Sequence, residues 1–481
     1  MRNAGCMPLS KMRESAIVLI ACILVVLAGC AAEQDRERPP NFIVILADDL
    51  GYGDTGAYGG SRNETPHIDR LAREGLRFTD FHSNGPMCTP TRAALLTGRY
   101  QNRIGRAFES PLGADDKGMP LDQVTIAEAL AEAGYVSGAY GKWHLGRFPS
   151  YLPISQGFEE FWGLGSGGGD HHSHIDRSGR PDWWHNDRIE MEEGYSVDLI
   201  TDHSIDFIER SIQQNSSQQN SIKQKNDQPF FLYVSHLAIH FPWQGPGDEG
   251  YREEGGNYHD LTKLGYFDQD KDPSAKVQEM VEALDRSVGR IVEAVKANGL
   301  SKDILIIFTS DNGGYLTYQG GYHNISSNGP LRGQKAQVYE GGIRVPAIAW
   351  WPERIEPGVT AELAASFDLF PTFLELAGIG TRADLKLDGV SLAPLLLDGG
   401  GLPDRTLFWR MRDRKAVRQG PWKLVAAGEA APELYNLAED IGENSDLSAQ
   451  RPELVRRLLS ELEAWEIDVE PQQVPANGAV E

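Results

Sequence analysis

Cysteine is scarce in this chain. Its 481 residues hold four, Cys6, Cys22, Cys30 and Cys88, and only Cys88 lies beyond position 30. The part that folds downstream therefore carries one thiol and no internal disulfide, which excludes a disulfide-stapled scaffold. Positive charge is also short: 46 Lys and Arg stand against 69 Asp and Glu, a net charge of −23. A surface of that sign repels a polyphosphate backbone and excludes broad nucleic-acid binding. It does not exclude a small anion held where a few cations converge in a cleft. Beyond the first thirty residues no run is long and apolar enough to span a bilayer, and no internal repeat is found. What remains is 40% hydrophobic residues in a long chain, enough core for one large α/β domain with a smaller one beside it.

The N-terminal segment has the pattern of an export signal. Arg2, Lys11 and Arg13 precede a short apolar run, Ala16 to Ala28, which ends in Leu27-Ala28-Gly29-Cys30. These four residues resemble the lipobox of bacterial lipoproteins. The resemblance implies that residues 1–29 are a signal peptide, that Cys30 is lipidated, and that the protein is exported to the bacterial periplasm or outer membrane, touching membrane only through that anchor. An ordinary cleaved signal peptide is the alternative, and Met7 and Met12 are alternative starts. Residues 30–40 are charged and contain prolines, as a tether would.

From Asn41 the texture is that of alternating strands and helices. Asn41 to Ala47, Phe230 to Ser235 and Ile304 to Thr309 are continuous apolar runs of the kind buried in parallel sheets. Helical patterns lie at Thr65–Gly75, from Thr91, at Thr125–Ala133 and at Ala275–Asn298. Gln213 to Gln228, rich in Gln, Asn, Ser and Lys, reads as a surface loop insertion. Near Asp388 the runs turn short and β-like, at Thr406–Arg410, Lys415–Arg418 and Trp422–Val425, and a helix follows at Pro452–Trp465. The prediction is an α/β domain over 41–387 with a mostly parallel central sheet, and a small α+β subdomain over 388–475.

A lone cysteine is usually a small buried hydrophobe, but the neighbours of Cys88 argue otherwise. Cys88-Thr89-Pro90-Thr91-Arg92, followed by Leu96-Thr97-Gly98, resembles the Cys-x-Pro-x-Arg signature of the type I sulfatases, and the stretch from Thr65 to Gly105 resembles the arylsulfatase A and N-acetylgalactosamine-6-sulfatase branch of that family. Members of that family usually carry Ser where this chain has Thr91, a change that keeps the hydroxyl. The resemblance implies an alkaline-phosphatase-like α/β sandwich and a cysteine oxidised to formylglycine by a maturation enzyme. A hydrated aldehyde carries two hydroxyls on one carbon: one attacks sulfur, and the other then loses its proton to expel sulfate, so the covalent intermediate has a built-in release step. Arg92, one helical turn after Cys88, is expected to stand beside that nucleophile.

Asp48-Asp49 and Asp311-Asn312 each follow a buried strand, where open α/β sheets place their sites. Such residues also serve as helix caps and turns, but hard oxygens gathered in this way suit calcium or magnesium. The resemblance makes Asp48, Asp49, Asp311, Asn312 and residue 88 the shell of one Ca2+, with Asp311 also the candidate base. Cations come from Gly141-Lys142-Trp143-His144-Leu145-Gly146, from His240-Phe241-Pro242, and from Gly329 to Lys335 ahead of Glu340-Gly341-Gly342. By the same resemblance Lys142 and His144 contact residue 88 and the sulfate, His240 binds sulfate and protonates the leaving oxygen, and Lys335 holds a sulfate oxygen. His236 ranks second to His240.

One cluster stands apart. Asp170 to Arg177 holds three histidines and precedes Trp183-Trp184. His172, His174, Arg177 and Trp183 are candidates for a sugar subsite, since Trp faces stack on sugar rings; a second metal site and a packed surface loop are the alternatives. Together these readings predict a sulfatase acting on a sulfated carbohydrate, such as an algal galactan, ulvan or glycosaminoglycan fragment. Two rivals remain at this point. A two-zinc phosphatase or phosphodiesterase of the same fold would need a Ser or Thr nucleophile and more His and Asp ligands. A sulfated-glycan binder would keep Cys88 as a thiol.

Overall fold

Seven consecutive residues, Asn41–Ala47, are buried along their whole length and form the central strand β1. Alternation decides what each side chain meets: Ile43 and Ile45 point into one core, Phe42, Val44 and Leu46 into another. A strand hydrophobic on both faces needs a helical layer on each side, and each such side chain contributes roughly 1.5–3 kcal/mol on burial. The structure, a computed structural model, describes residues 38–113, 115–217, 228–260, 271–380 and 382–470. The expected signal peptide and lipidation site lie outside those residues.

The large sheet has ten strands. Those that matter here are β1, β2 (Leu76–Phe78), β3 (Val136–Lys142), β4 (Glu160–Leu164), β5 (Phe230–Ser235), β6 (Ile304–Ser310) and β7 (Ala347–Trp350). In space they run β2-β7-β6-β1-β5-β3-β4, with Gly358–Thr360 beyond β2 and the short strands Trp184–His185 and Arg188–Ile189 beyond β4. β6, β1, β5, β3 and β4 are parallel to one another, and β7 runs antiparallel between β6 and β2. The helices Pro66–Glu74, Ser196–Ser217 and Ser274–Ala297 cover one face. Cys88–Thr97, Ile126–Ala131 and Leu369–Leu376 cover the other. This is the α/β sandwich expected from sequence.

The C-terminal sheet is antiparallel: Thr406–Met411, Arg414–Gln419, Trp422–Ala427 and Glu433–Asn436 in sequence order. The helix Pro452–Val469 lies on it through Leu458, Leu462 and Trp465, and the same cluster includes Ala94, Tyr100 and Phe367 of the large domain. Beneath it sits a buried ion network in which Glu340 meets Lys423 and Arg344, and Lys423 also meets Glu443.

Two boundaries differ from the sequence reading. The helix placed from Thr91 begins at Cys88 and ends at Gly98, whose φ of +67° accommodates the left-handed cap. Pro90 is no obstacle, because a proline in the first turn gives up only an N–H that has no helical partner. The polar segment placed as loop from Gln213 continues the helix Ser196–Ser217; its Gln and Ser residues are compatible with a helix end, and residues 218–227 are not described.

Candidate active site

The register of the sheet builds the acidic half of the site. Ala47 of β1 pairs with Ser310 of β6, so Asp48-Asp49 and Asp311-Asn312 leave neighbouring strands side by side. Asp49 takes a left-handed backbone, φ +65°, a conformation Asp tolerates better than most residues, and its N–H donates to Asp311 Oδ1 at 3.2 Å. Ligand atoms of Asp48, Asp49, Asp311 and Cys88 all lie within 4.8 Å of one another.

Cys88 is the first residue of its helix and lines a cavity of about 280 Å3. Its Sγ is 3.4 Å from Asp48 Oδ1 and 3.1 Å from Lys335 Nζ. The turn in front of it is locked by Thr91, whose hydroxyl donates to Gly85 O at 2.9 Å and accepts from Gly85 N at 3.2 Å. The Thr91 hydroxyl thus holds the turn that leads into the helix.

Buried charge is balanced three against three. Lys142 pairs with Asp48, Lys335 with Asp49 and Arg92 with Asp311, all essentially inaccessible. Unpaired, each would cost several kcal/mol to bury. Arg92 does not reach the nucleophile as the sequence reading expects. Its guanidinium goes to Asp311 at 3.0 Å, to Lys142 O at 2.8 Å and to Ser235. One helical turn carries it past Cys88 toward the strand ends. Lys142 likewise contacts Asp48 rather than Cys88.

Burial is the main force on the titrations. It pushes Asp48 up to about 7 against the opposing pull of Lys142. It pushes the Cys88 thiol up to about 12, aided by Asp48, so the encoded side chain is not a thiolate. Burial works against ionised Asp311 too, but Arg92, Lys142 and Lys335 outweigh it and hold the carboxyl below its usual range. His144 and His240 are driven well below the ordinary imidazole range by burial and then by Lys142. Both line the cavity. His240 also falls within the same ligand-distance cluster as Asp48 and Cys88. His144 sits at φ +58° and its Nε2 is 3.1 Å from Leu112 O. Gly167 is required beside it, since a Cβ there would lie 2.4 Å from the His144 ring. His236 faces away from the cavity, bonded to Ser287.

The acidic group fits a hard divalent cation. Its ligand atoms all lie within 4.8 Å of one another, close enough for the three carboxylates to share one Ca2+ held at roughly 2.3–2.6 Å. Asn312 supplies the independent sign: its Nδ2 donates to Asp49 at 2.9 Å, while its buried Oδ1 has no hydrogen-bond partner among the described residues. An orphaned buried carbonyl costs about 1–3 kcal/mol unless something takes it up.

The sugar-subsite cluster is only partly where the sequence reading puts it. Arg177 lines the cavity. His174 and Trp183 are fully buried and stacked on each other at 4.3 Å, with Trp183 Nε1 bonded to Glu192. His172 turns to Gly245 O at 3.0 Å. Neither Trp183 nor these two histidines lines the cavity. The aromatic wall is made instead by Phe241, Tyr315 and Tyr318. The two tyrosines follow the Asp311-Asn312-Gly313 turn closely, and that proximity was the signal available in sequence.

The family model described as Sulfatase matches residues 40–379. Human arylsulfatase A is 34% identical over 502 aligned residues, covering 91% of this chain and 89% of that protein. N-acetylgalactosamine-6-sulfatase of Canis lupus familiaris is 35% identical over 428, covering 83% and 74%. Among solved structures, Ps i-CgsB in complex with k-i-k-neocarrahexaose superimposes with a TM-score of 0.76 at 30% identity, over 90% of this chain and 94% of that one.

Proposed function

The chain belongs to the sulfatase family and is a sulfuric ester hydrolase, and from that premise we propose that it acts on sulfated carbohydrates through a formylglycine at position 88 and one Ca2+. The observation that carries this reading is the convergence on Cys88 Sγ of Lys335 at 3.1 Å and Asp48 at 3.4 Å, inside a four-residue ligand cluster. A thiol held protonated by burial is a poor nucleophile, whereas a hydrated aldehyde there supplies a hydroxyl to attack sulfur and a second to release sulfate. Bound at Asp48, Asp49, Asp311, Asn312 and residue 88, the cation would polarise sulfate oxygens and favour ionisation of the attacking hydroxyl.

The remaining groups have roles set by position. Lys335 and Lys142 supply the positive field for an anion above residue 88. His240 and His144 line the cavity; the N–H of each neutral ring faces a backbone carbonyl, Phe241 O and Leu112 O, which leaves the other ring nitrogen to take up the proton that is then given to the leaving oxygen. Arg92 acts through Asp311, holding its carboxylate charged and fixed. The carbohydrate substrate is supported by the cavity's aromatic wall and by the relatives, one named for N-acetylgalactosamine 6-sulfate and one bound to a neocarrahexaose. A formylglycine-generating enzyme is the implied maturation partner. The lipobox-like Leu27-Ala28-Gly29-Cys30 supports anchoring at Cys30 in the periplasm or outer membrane.

Sulfate release from a panel of sulfated sugar fragments, with an aryl sulfate as reference, tests the reading. Turnover of at least one sugar sulfate is expected. Activity confined to aryl sulfates would count against the carbohydrate substrate.

A further inference from the structure

One wall of the cavity is an aromatic belt with a cation at each end. Lys335 Nζ stands 5.2 Å from the Tyr315 ring centre, Tyr315 meets Tyr318 edge-on at 4.7 Å, Tyr318 meets Phe241 at 5.2 Å, and the Arg177 guanidinium lies 4.6 Å over Phe241. The Lys335 end is the reaction centre, beside Cys88. The Arg177 end has no part in it.

Arg177 differs from its neighbours in having nothing to hold. Arg147 and Arg180 are both paired with Asp176, and Arg180 also with Asp115. Arg252 is buried and bonded to Ile175 O at 3.3 Å. The Arg177 side chain makes no hydrogen bond and no ion pair among the described residues; only the Phe241 face supports it. It is half-buried, lines the cavity, and is close enough to His240 for its charge to depress that imidazole, after burial and the two lysines. A partly desolvated guanidinium with its fork unfilled is suited to bidentate pairing with a carboxylate or sulfate.

We infer that Arg177 forms a second anion subsite, so that the preferred substrate is a sugar sulfate carrying another anionic group, a second sulfate or a uronate carboxylate, which Arg177 grips while the scissile sulfate lies at residue 88. This rests on the carbohydrate reading above and narrows it. The aromatic belt between the two cations is where an apolar sugar face would lie. Ser178 and His259, which line the same end and are 3.2 Å apart, supply polar contacts at the rim. Arg177 is a specificity residue here and takes no part in bond breaking.

The test is kcat/KM on two pairs of defined disaccharides, measured with matured wild type, Arg177→Met and Arg177→Lys. One pair differs by a second sulfate; the other differs by replacing a neutral sugar with a uronate. Wild type is expected to prefer the doubly anionic member of one pair by roughly 10–100-fold, the range of a hydrogen-bonded charge pair. The pair that shows it identifies the anion. Arg177→Met is expected to erase that preference chiefly through KM, and Arg177→Lys to keep part of it. Met retains the packing over Phe241, and the wild-type comparison needs no variant at all. Equal turnover of both members by wild type, or an unchanged preference in Arg177→Met, overturns the inference while leaving the carbohydrate reading intact. Turnover of aryl sulfate but of no disaccharide overturns both.

Discussion

Arg92 Nε and Nη2 both reach the same oxygen of Asp311, Oδ2, at 3.0 and 2.9 Å, and neither side chain is exposed. That leaves Asp311 Oδ1 free to accept from Asp49 N at 3.2 Å and to face the acidic cluster. Removing the guanidinium strands a buried carboxylate. Arg92→Met is expected to cost about 3–5 kcal/mol of stability and to abolish turnover, whereas Asp311→Asn in the Arg92→Met background recovers stability without activity. Urea unfolding with parallel sulfate release checks this.

The second prediction concerns the cation. Three carboxylates gather at Cys88, and Asn312, bonded to one of them, has its Oδ1 unpartnered among the described residues, so a bound divalent ion stabilises the fold by mass action. Chelation is expected to lower the melting temperature and stop sulfate release, and added Ca2+ to restore both better than Zn2+. A chelated enzyme with unchanged melting temperature would contradict the assignment.

Histidine burial fixes the acid limit of stability. Burial holds His171 and His174 down to about 4 and His236 down to about 3, against roughly 6.5 in an unfolded chain. Above 6.5 all three are neutral in both states, so their full contribution is present. As pH falls below 6.5 the unfolded chain takes up protons that the fold refuses, and stability drops, by up to about 4 kcal/mol per pH unit for three groups. Urea midpoints from pH 7.5 to 5 should fall accordingly, and His236→Gln should flatten the slope. Midpoints independent of pH over that window would show these imidazoles are protonated in the fold.

Two small residues support the reactive turn. Thr91→Val loses both bonds to Gly85 and is expected to cost about 1–3 kcal/mol and to lower occupancy of the matured residue, while Thr91→Ser keeps both. Gly167→Ala puts a Cβ 2.4 Å from the His144 ring. The displaced imidazole should reduce kcat by about 100-fold, the cost of roughly an ångström of misplacement, with little change in melting temperature.

The layers of the fold were legible because its central strands are hydrophobic on both faces: Asn41–Ala47, Phe230–Ser235 and Ile304–Ser310 read as buried without any partner being known. Strand Val136–Lys142 escaped notice because glycines and Ser137 interrupt its apolar run, although it is fully inside the sheet. The positions of Cys88, the Asp pairs, Lys142, His240 and Lys335 followed from motifs and strand ends. What each touches did not. That Arg92 belongs to Asp311 depends on the register of β1 and β6, a long-range fact. That Trp183 stacks on His174 instead of facing a ligand is a tertiary contact no local pattern encodes. Local pattern identifies residue types suited to a role; tertiary packing decides which of them reach the cavity.

The central claim is that Cys88 is not the residue that reacts. Mass spectrometry of the peptide spanning Cys88, from active protein purified from its native host, addresses it directly. The account predicts a side chain lighter than cysteine by the difference between CH2SH and CHO and unreactive toward a thiol alkylating reagent, with activity proportional to the converted fraction. An unmodified thiol in fully active enzyme would contradict it.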